Sequence, residues 1–216
     1  MASSTPAPAL RTSAATDRLA GACGLAAVGW ATALPLLGVP RRTDYRHERR
    51  AGGYDGPGRM LRVIGFLPTG VLACAFAELG SRCFDDRSAA AGLRCFNGVG
   101  AGYITAAFAP GNPGGPTDGT MRQAVHNGAG LFEYLSGAAG LVLFGLGARH
   151  DPATRALARA SVAATAPYTI VLAATGATAQ PETRRRFQRL LEGMLFAWIA
   201  ATGSVLLFRR HPRSPA

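Results

Sequence analysis

Two acids stand deep inside apolar runs of this chain: Glu133 within HNGAGLFEYLSG and Glu192 within FQRLLEGMLFAW. His126 precedes Glu133 by seven residues, so two helical turns place both on one side of a helix, with the acid about 10 Å deeper. Gln188 and Arg189 precede Glu192 by four and three residues, a spacing that permits an intrahelical ion pair. An acid desolvated without a cation holds its proton near neutral pH and can donate it, whereas one beside an arginine stays ionised. Glu133 suits the first role, Glu192 the second, and His126 that of a proton shuttle. Asp118, Gln188, Arg189, Asn97 and Arg62 are the candidate substrate-binding residues around them. The structural alternative is a buried polar network that fixes helix packing, with His126 bonding only locally at a loop end.

The elements that must position these residues follow from composition. Of 216 residues 48% are hydrophobic and 16% charged, too apolar for an ordinary soluble domain. Leu19 to Val39 contains no charged side chain and has the length of a membrane crossing, so it reads as a spanning helix and not as a cleaved signal. Five further apolar stretches follow, giving an all-α, polytopic transmembrane bundle of about six spans: 19–39, 62–80, 95–110, 126–148, 160–180 and 188–208. Residues 1–18, rich in Ser, Ala, Pro and Thr, read as a disordered tail, and 209–216 as a basic tail. The connecting loops are short and leave no room for a soluble domain.

By alternation, the loops at 40–61, 111–125 and 181–187 share one face, opposite the termini, and hold most of the unusual residues. A charged side chain facing lipid costs about 2.5–3.5 kcal/mol, so Glu133 and Glu192 are expected to face the bundle interior. Glu78 lies at the other end of its span, four residues before Arg82, where a snorkelling ion pair explains it without any function. The small residues Gly137, Ala138 and Gly140 let helices approach closely.

Charge and cysteine exclude several classes. All 23 basic residues are arginine and the net charge is +11, but the arginines are spread over every loop. They fit juxtamembrane anchors that meet anionic headgroups, and no nucleic acid is expected as partner. Arginine counts on the two faces tie, so only the FRRHPR tail directs the termini to the cytoplasm of a multi-pass cell-membrane protein. Cys23 and Cys74 fall within spans, and Cys83 and Cys95 flank a loop. The four histidines, at 47, 126, 150 and 211, offer no ligand spacing on one helix. Neither a metal nor another cofactor is expected, and there is no Walker loop or GxSxG elbow.

The order of these features resembles the bacterial integral-membrane family catalogued as domain of unknown function 998. The residues that carry the likeness are Tyr45 in the first loop, Gly70, the FAPGNP stretch with Phe108 and Pro110, Asp118, His126, and FQRLLEGMLFAW with Gln188, Arg189 and Trp198. The resemblance implies a bundle of six or so spans with one polar face, and it implies no reaction.

Three functions follow as expectations. The foremost is a non-catalytic membrane component, with another membrane protein as partner beside the lipid bilayer. The second is a membrane-embedded isomerase or cyclase that uses Glu133 and Glu192 on a lipidic small molecule in a water-poor chamber. The third is a small transporter, for which no half-to-half correspondence is visible.

Overall fold

The computed structural model describes residues 14–33, 57–109, 111, 119–178 and 180–209; the side chains of 57–59, 61, 62 and 181 lie outside that description. These residues form six helices: α1 (Ala14–Ala33), α2 (Pro57–Ser81), α3 (Arg87–Phe108), α4 (Met121–Gly147), α5 (Arg155–Ala177) and α6 (Pro181–Phe208). A single 3-10 turn, Ala148–His150, follows α4. No strand occurs among the described residues.

Each helix starts at least a turn before the apolar stretch that announces it. The hydropathy window marks the length of the hydrocarbon core, whereas a helix begins at the residue that can cap it. Asp86 accepts the Ser88 and Ala89 amides at 2.8 and 2.9 Å to open α3. The Thr120 hydroxyl accepts the Gln123 amide at 3.3 Å to open α4, and Pro181 occupies the first turn of α6. The expected tail 1–18 is corrected in the same way: residues 14–18 are helical and belong to α1. Among the described residues, four segments are long and apolar enough to cross a membrane: Val63–Ser81, Met121–His150, Arg155–Ala177 and Glu182–Phe208. The apolar stretch of the first span continues to Val39, where 34–39 lie outside the described residues.

Consecutive helices pack side by side, and α1 returns against α6, so the six form a closed ring. That closure needs two glycines. A Cβ at Gly21 would lie 2.5 Å from the Gly203 carbonyl oxygen, and one at Gly203 would lie 3.0 Å from that of Gly21. The helices meet backbone to backbone, as expected where association in a bilayer depends on close dispersion contact.

Inside the ring, Trp198 of α6 is the hub. Its ring stacks on Phe96 of α3 at 4.2 Å between centroids and meets Phe144 of α4 edge-on at 5.1 Å and Phe76 of α2 at 6.3 Å. Its Nε1 donates to Ser161 Oγ of α5 at 2.7 Å. Phe76 in turn fills the space left by Gly24 of α1, where a Cβ would come within 2.8 Å of its ring. One side chain thereby engages four helices directly and the fifth through Phe76.

The end of the bundle that carries the chain termini is closed by Arg209, just after α6. Its guanidinium pairs with Asp151 in the α4–α5 turn, approaches Asp17 of α1 at 3.7 Å, donates to the Cys83 carbonyl at 3.2 Å and lies 5.6 Å over the Phe84 ring. Arg209 is therefore a clasp and not part of a basic tail; 210–216 lie outside the described residues. Asp17 is buried, and the Cys83 thiol, within its electrostatic reach, donates to the Leu79 carbonyl at 3.3 Å. The expected ion pair nearby forms as well, with Arg82 Nη2 at 3.0 Å from Glu78 Oε1.

Two outcomes follow. Trp198→Ala removes the hub and is expected to cost about 3–5 kcal/mol, read as a lowered melting temperature of the detergent-solubilised protein. Trp198→Phe keeps the stack, drops the Ser161 bond and costs about 1 kcal/mol from the hydrogen bond alone. For Cys83, burial first and then Asp17 push the thiol well above its ordinary value of 9.0. The fold holds this thiol neutral, so that stabilisation is complete below pH 9.0 and is lost as pH rises above it. Alkylation of Cys83 at pH 8 is expected to be slow until the protein unfolds, and fast alkylation of the folded chain would contradict the buried placement.

Candidate functional site

Both acids lie near the middle of their helices. Glu133 is twelve residues into α4, about 18 Å from its start, and Glu192 eleven residues into α6, about 16 Å. Glu133 is fully buried, at 0% exposure, and Glu192 partly so. A Cβ at Gly102 of α3 would lie 2.5 Å from Glu133 Oε2 and 2.8 Å from Glu133 Cβ. Gly102 thus provides the room in which the carboxyl sits.

Two tyrosines join the acids. The Tyr134 hydroxyl, on the residue after Glu133, donates to Glu192 Oε1 at 3.5 Å, a long bond. Tyr168 of α5 is fully buried and donates its hydroxyl to the Tyr134 carbonyl at 3.2 Å. That hydroxyl also lies within electrostatic reach of both Glu133 and Glu192. One turn beyond Glu133, Gly137 makes room for it: a Cβ there would come within 3.1 Å of the Tyr168 oxygen and 2.5 Å of Leu195. Glu133, Tyr134, Tyr168 and the partly buried Glu192 therefore form one polar group between α4, α5 and α6, walled by α3. Tyr103 of α3, beside Gly102, packs edge-on to Phe196 at 5.6 Å and Phe66 at 6.0 Å.

Further polar side chains stand between this group and the end of the bundle opposite the termini. On α4 these are His126, whose Nδ1 lies 3.0 Å from the Ala109 carbonyl oxygen, and Gln123, whose Nε2 donates to Asn127 Oδ1 at 2.8 Å. His126 and Gln123 are both buried. The His126 contact ties the end of α3 to the start of α4, the local role open to a loop-end histidine. On α6 Gln188 lies half-buried one turn before Glu192. On the terminal side of the acids the Trp198 cluster fills the axis.

The other expected residues are placed differently. Arg189 is exposed on the outward side of α6. Asn97 lies on α3 five residues nearer the terminal end than Gly102, and its carbonyl accepts the Cys74 thiol at 3.8 Å across the α2 contact. The Arg62 side chain and Asp118 lie outside the described residues. No group of three His, Cys, Asp or Glu able to hold a metal ion occurs among the described residues. Sequence reasoning missed Tyr134, Tyr168 and Gly102. The signal for the tyrosines was present: a phenol within a spanning helix needs a polar partner, and Tyr168 stands alone in an Ala- and Thr-rich helix.

With this geometry in place, residues 25–205 match the family described as Protein of unknown function (DUF998). The chain belongs to that family. The match covers all six helices in whole or in part, and with the four membrane-capable segments it makes this a helical-bundle membrane protein. No curated protein and no solved structure matches the chain.

Gly102→Ala separates packing from propensity. In an exposed helix the change would favour the protein by about 1 kcal/mol, but here the new methyl overlaps Glu133 and is expected to cost about 1–3 kcal/mol net. Adding Glu133→Ala should recover much of that loss, a coupling of about 1 kcal/mol or more in a thermal-denaturation cycle. Simple additivity of the two changes would show that Gly102 does not house the acid.

Proposed function

We propose that the chain crosses the cell membrane six times with both termini in the cytoplasm, and that it works as a non-catalytic membrane component engaging another membrane protein. The observation that carries this reading is the filled axis: Trp198, Phe96, Phe144 and Phe76 interlock where a reaction chamber or a permeation path would need open space. In this reading the Glu133–Tyr134–Tyr168–Glu192 group is a polar lock that fixes how α4, α5 and α6 pack. Such groups give a bilayer bundle a single register, because unmatched polar atoms have no water to turn to. The basic segment after α6 favours the cytoplasmic placement of the termini.

One observation favours a second reading, a membrane-embedded acid–base enzyme acting on a lipidic small molecule. Glu133 is fully buried, lies with Glu192 within electrostatic reach of the Tyr168 hydroxyl, and shares α4 with the buried polar side chains His126 and Gln123 on the side away from the termini. A proton donor in a dry site supplied from a single side is what isomerisation or cyclisation of an apolar substrate requires.

Glu133→Gln distinguishes the two. As a packing lock, the substitution lowers the melting temperature and weakens a companion that co-purifies in fixed ratio, while the lipid extract of the cells is unchanged. Loss of one lipidic metabolite, with the melting temperature and the companion retained, would overturn the non-catalytic reading in favour of the enzyme.

A further inference from the structure

The outward side of α6 is a second place where the sequence puts charge into an apolar setting. α6 has 28 residues and is about 42 Å long, whereas the hydrocarbon core is about 30 Å thick. About twenty residues cross that core, so counting back from Phe208 places Arg189 at its edge and the turns before it among the headgroups. Those turns carry Arg184, Arg185, Arg186 and Arg189. Arg184 is turned inward, its Nε donating to the Thr175 carbonyl of α5 at 3.1 Å, and Arg185 pairs with Glu182 at 3.6 Å.

Arg186 and Arg189 are exposed and lie three residues apart on the outward side. Directly below them, the same exposed stripe continues with Leu190, Gly193, Ala197 and Ala201. No atom lies within 4 Å of where a Gly193 Cβ would be. The outward side of α4 at comparable depth carries the bulky Leu131, Phe132 and Leu135 instead. A pair of guanidinium groups at headgroup level thus stands over a shallow apolar track.

We propose that this surface seats an anionic phospholipid, its phosphate against Arg186 and Arg189 and one acyl chain along Leu190, Gly193 and Ala197. Charge complementarity selects the occupant: planar guanidinium groups match phosphate oxygens in pairs, and an arginine near the membrane surface favours anionic lipid. The track below suits an acyl chain that continues from the bound headgroup. The inference requires that α6 span the bilayer and is independent of the choice between binding and catalysis.

The test uses the full-length protein in mild detergent, with phosphatidylglycerol, phosphatidylcholine of identical chains, or inorganic phosphate added. Lipid retained in native mass spectrometry and the shift in melting temperature are the readouts. Phosphatidylglycerol is expected to be retained and to raise the melting temperature, with the other two probes ineffective. Arg186→Gln and Arg189→Gln should each weaken retention about fivefold, while Arg155→Gln and Arg159→Gln, exposed on α5 at the other end, leave it unchanged. Gly193→Leu should reduce retention without touching charge, and the Arg186→Lys, Arg189→Lys pair, which keeps the charge but not the paired N–H geometry, should retain lipid better than the Gln variants and less well than the wild type. Equal retention of both lipids, a full effect of phosphate alone, or wild-type retention by the Gln variants would each overturn the proposal. So would a Gly193→Leu protein that keeps its lipid but changes oligomeric state, since the track would then seat a second copy of the chain.

Discussion

The stack of Trp198 on Phe96, with Phe144 and Phe76 edge-on around it, is the contact on which the arrangement of the bundle depends. In a bilayer, burial from water drives nothing once the helices have inserted, so their mutual positions are set by dispersion contact and by the few polar bonds available. The indole supplies both. Its faces and edges meet three aromatic side chains, and its one N–H reaches Ser161. Because Phe76 also packs into the space at Gly24, the position of α1 depends on the same cluster.

On either side of this cluster the polar chemistry differs in kind. Toward the chain termini the polar groups are paired as ions at the end of the bundle, with Arg209 gathering Asp17, Asp151 and the α2–α3 turn. Toward the other end they are carried inward: Glu133 is fully buried, Glu192 accepts the Tyr134 hydroxyl, and Tyr168 donates to the Tyr134 carbonyl. The difference follows from depth. An acid near the headgroups can reach an arginine and water together, as Glu78 reaches Arg82, whereas one enclosed between helices depends on the polar groups those helices supply, as Glu192 does on Tyr134.

Much of this was legible in the sequence. The apolar runs gave the helix count, the all-α class and the alternation that puts the His126 and Gln188 ends together. The cost of charge in lipid by itself requires Glu133 to face inward. Helix starts were less legible, because Asp86, Thr120 and Pro181 act through capping geometry that hydropathy does not register. Arg189 was read as a partner of the site through its spacing to Glu192. In the structure Arg189 is exposed beside Leu190, while Glu192 is partly buried.

The sequence by itself determined which solvent the chain folds in, how many helices it makes, and that two acids must be enclosed, because each of these depends on transfer free energies summed along a single segment. Only the tertiary structure decided what encloses them. Gly102 faces Glu133, Tyr134 bridges to Glu192, and Trp198 fills the axis because helices far apart in sequence meet at one depth and rotation. Depth and rotation are set by packing between helices, and no local pattern of residues encodes them.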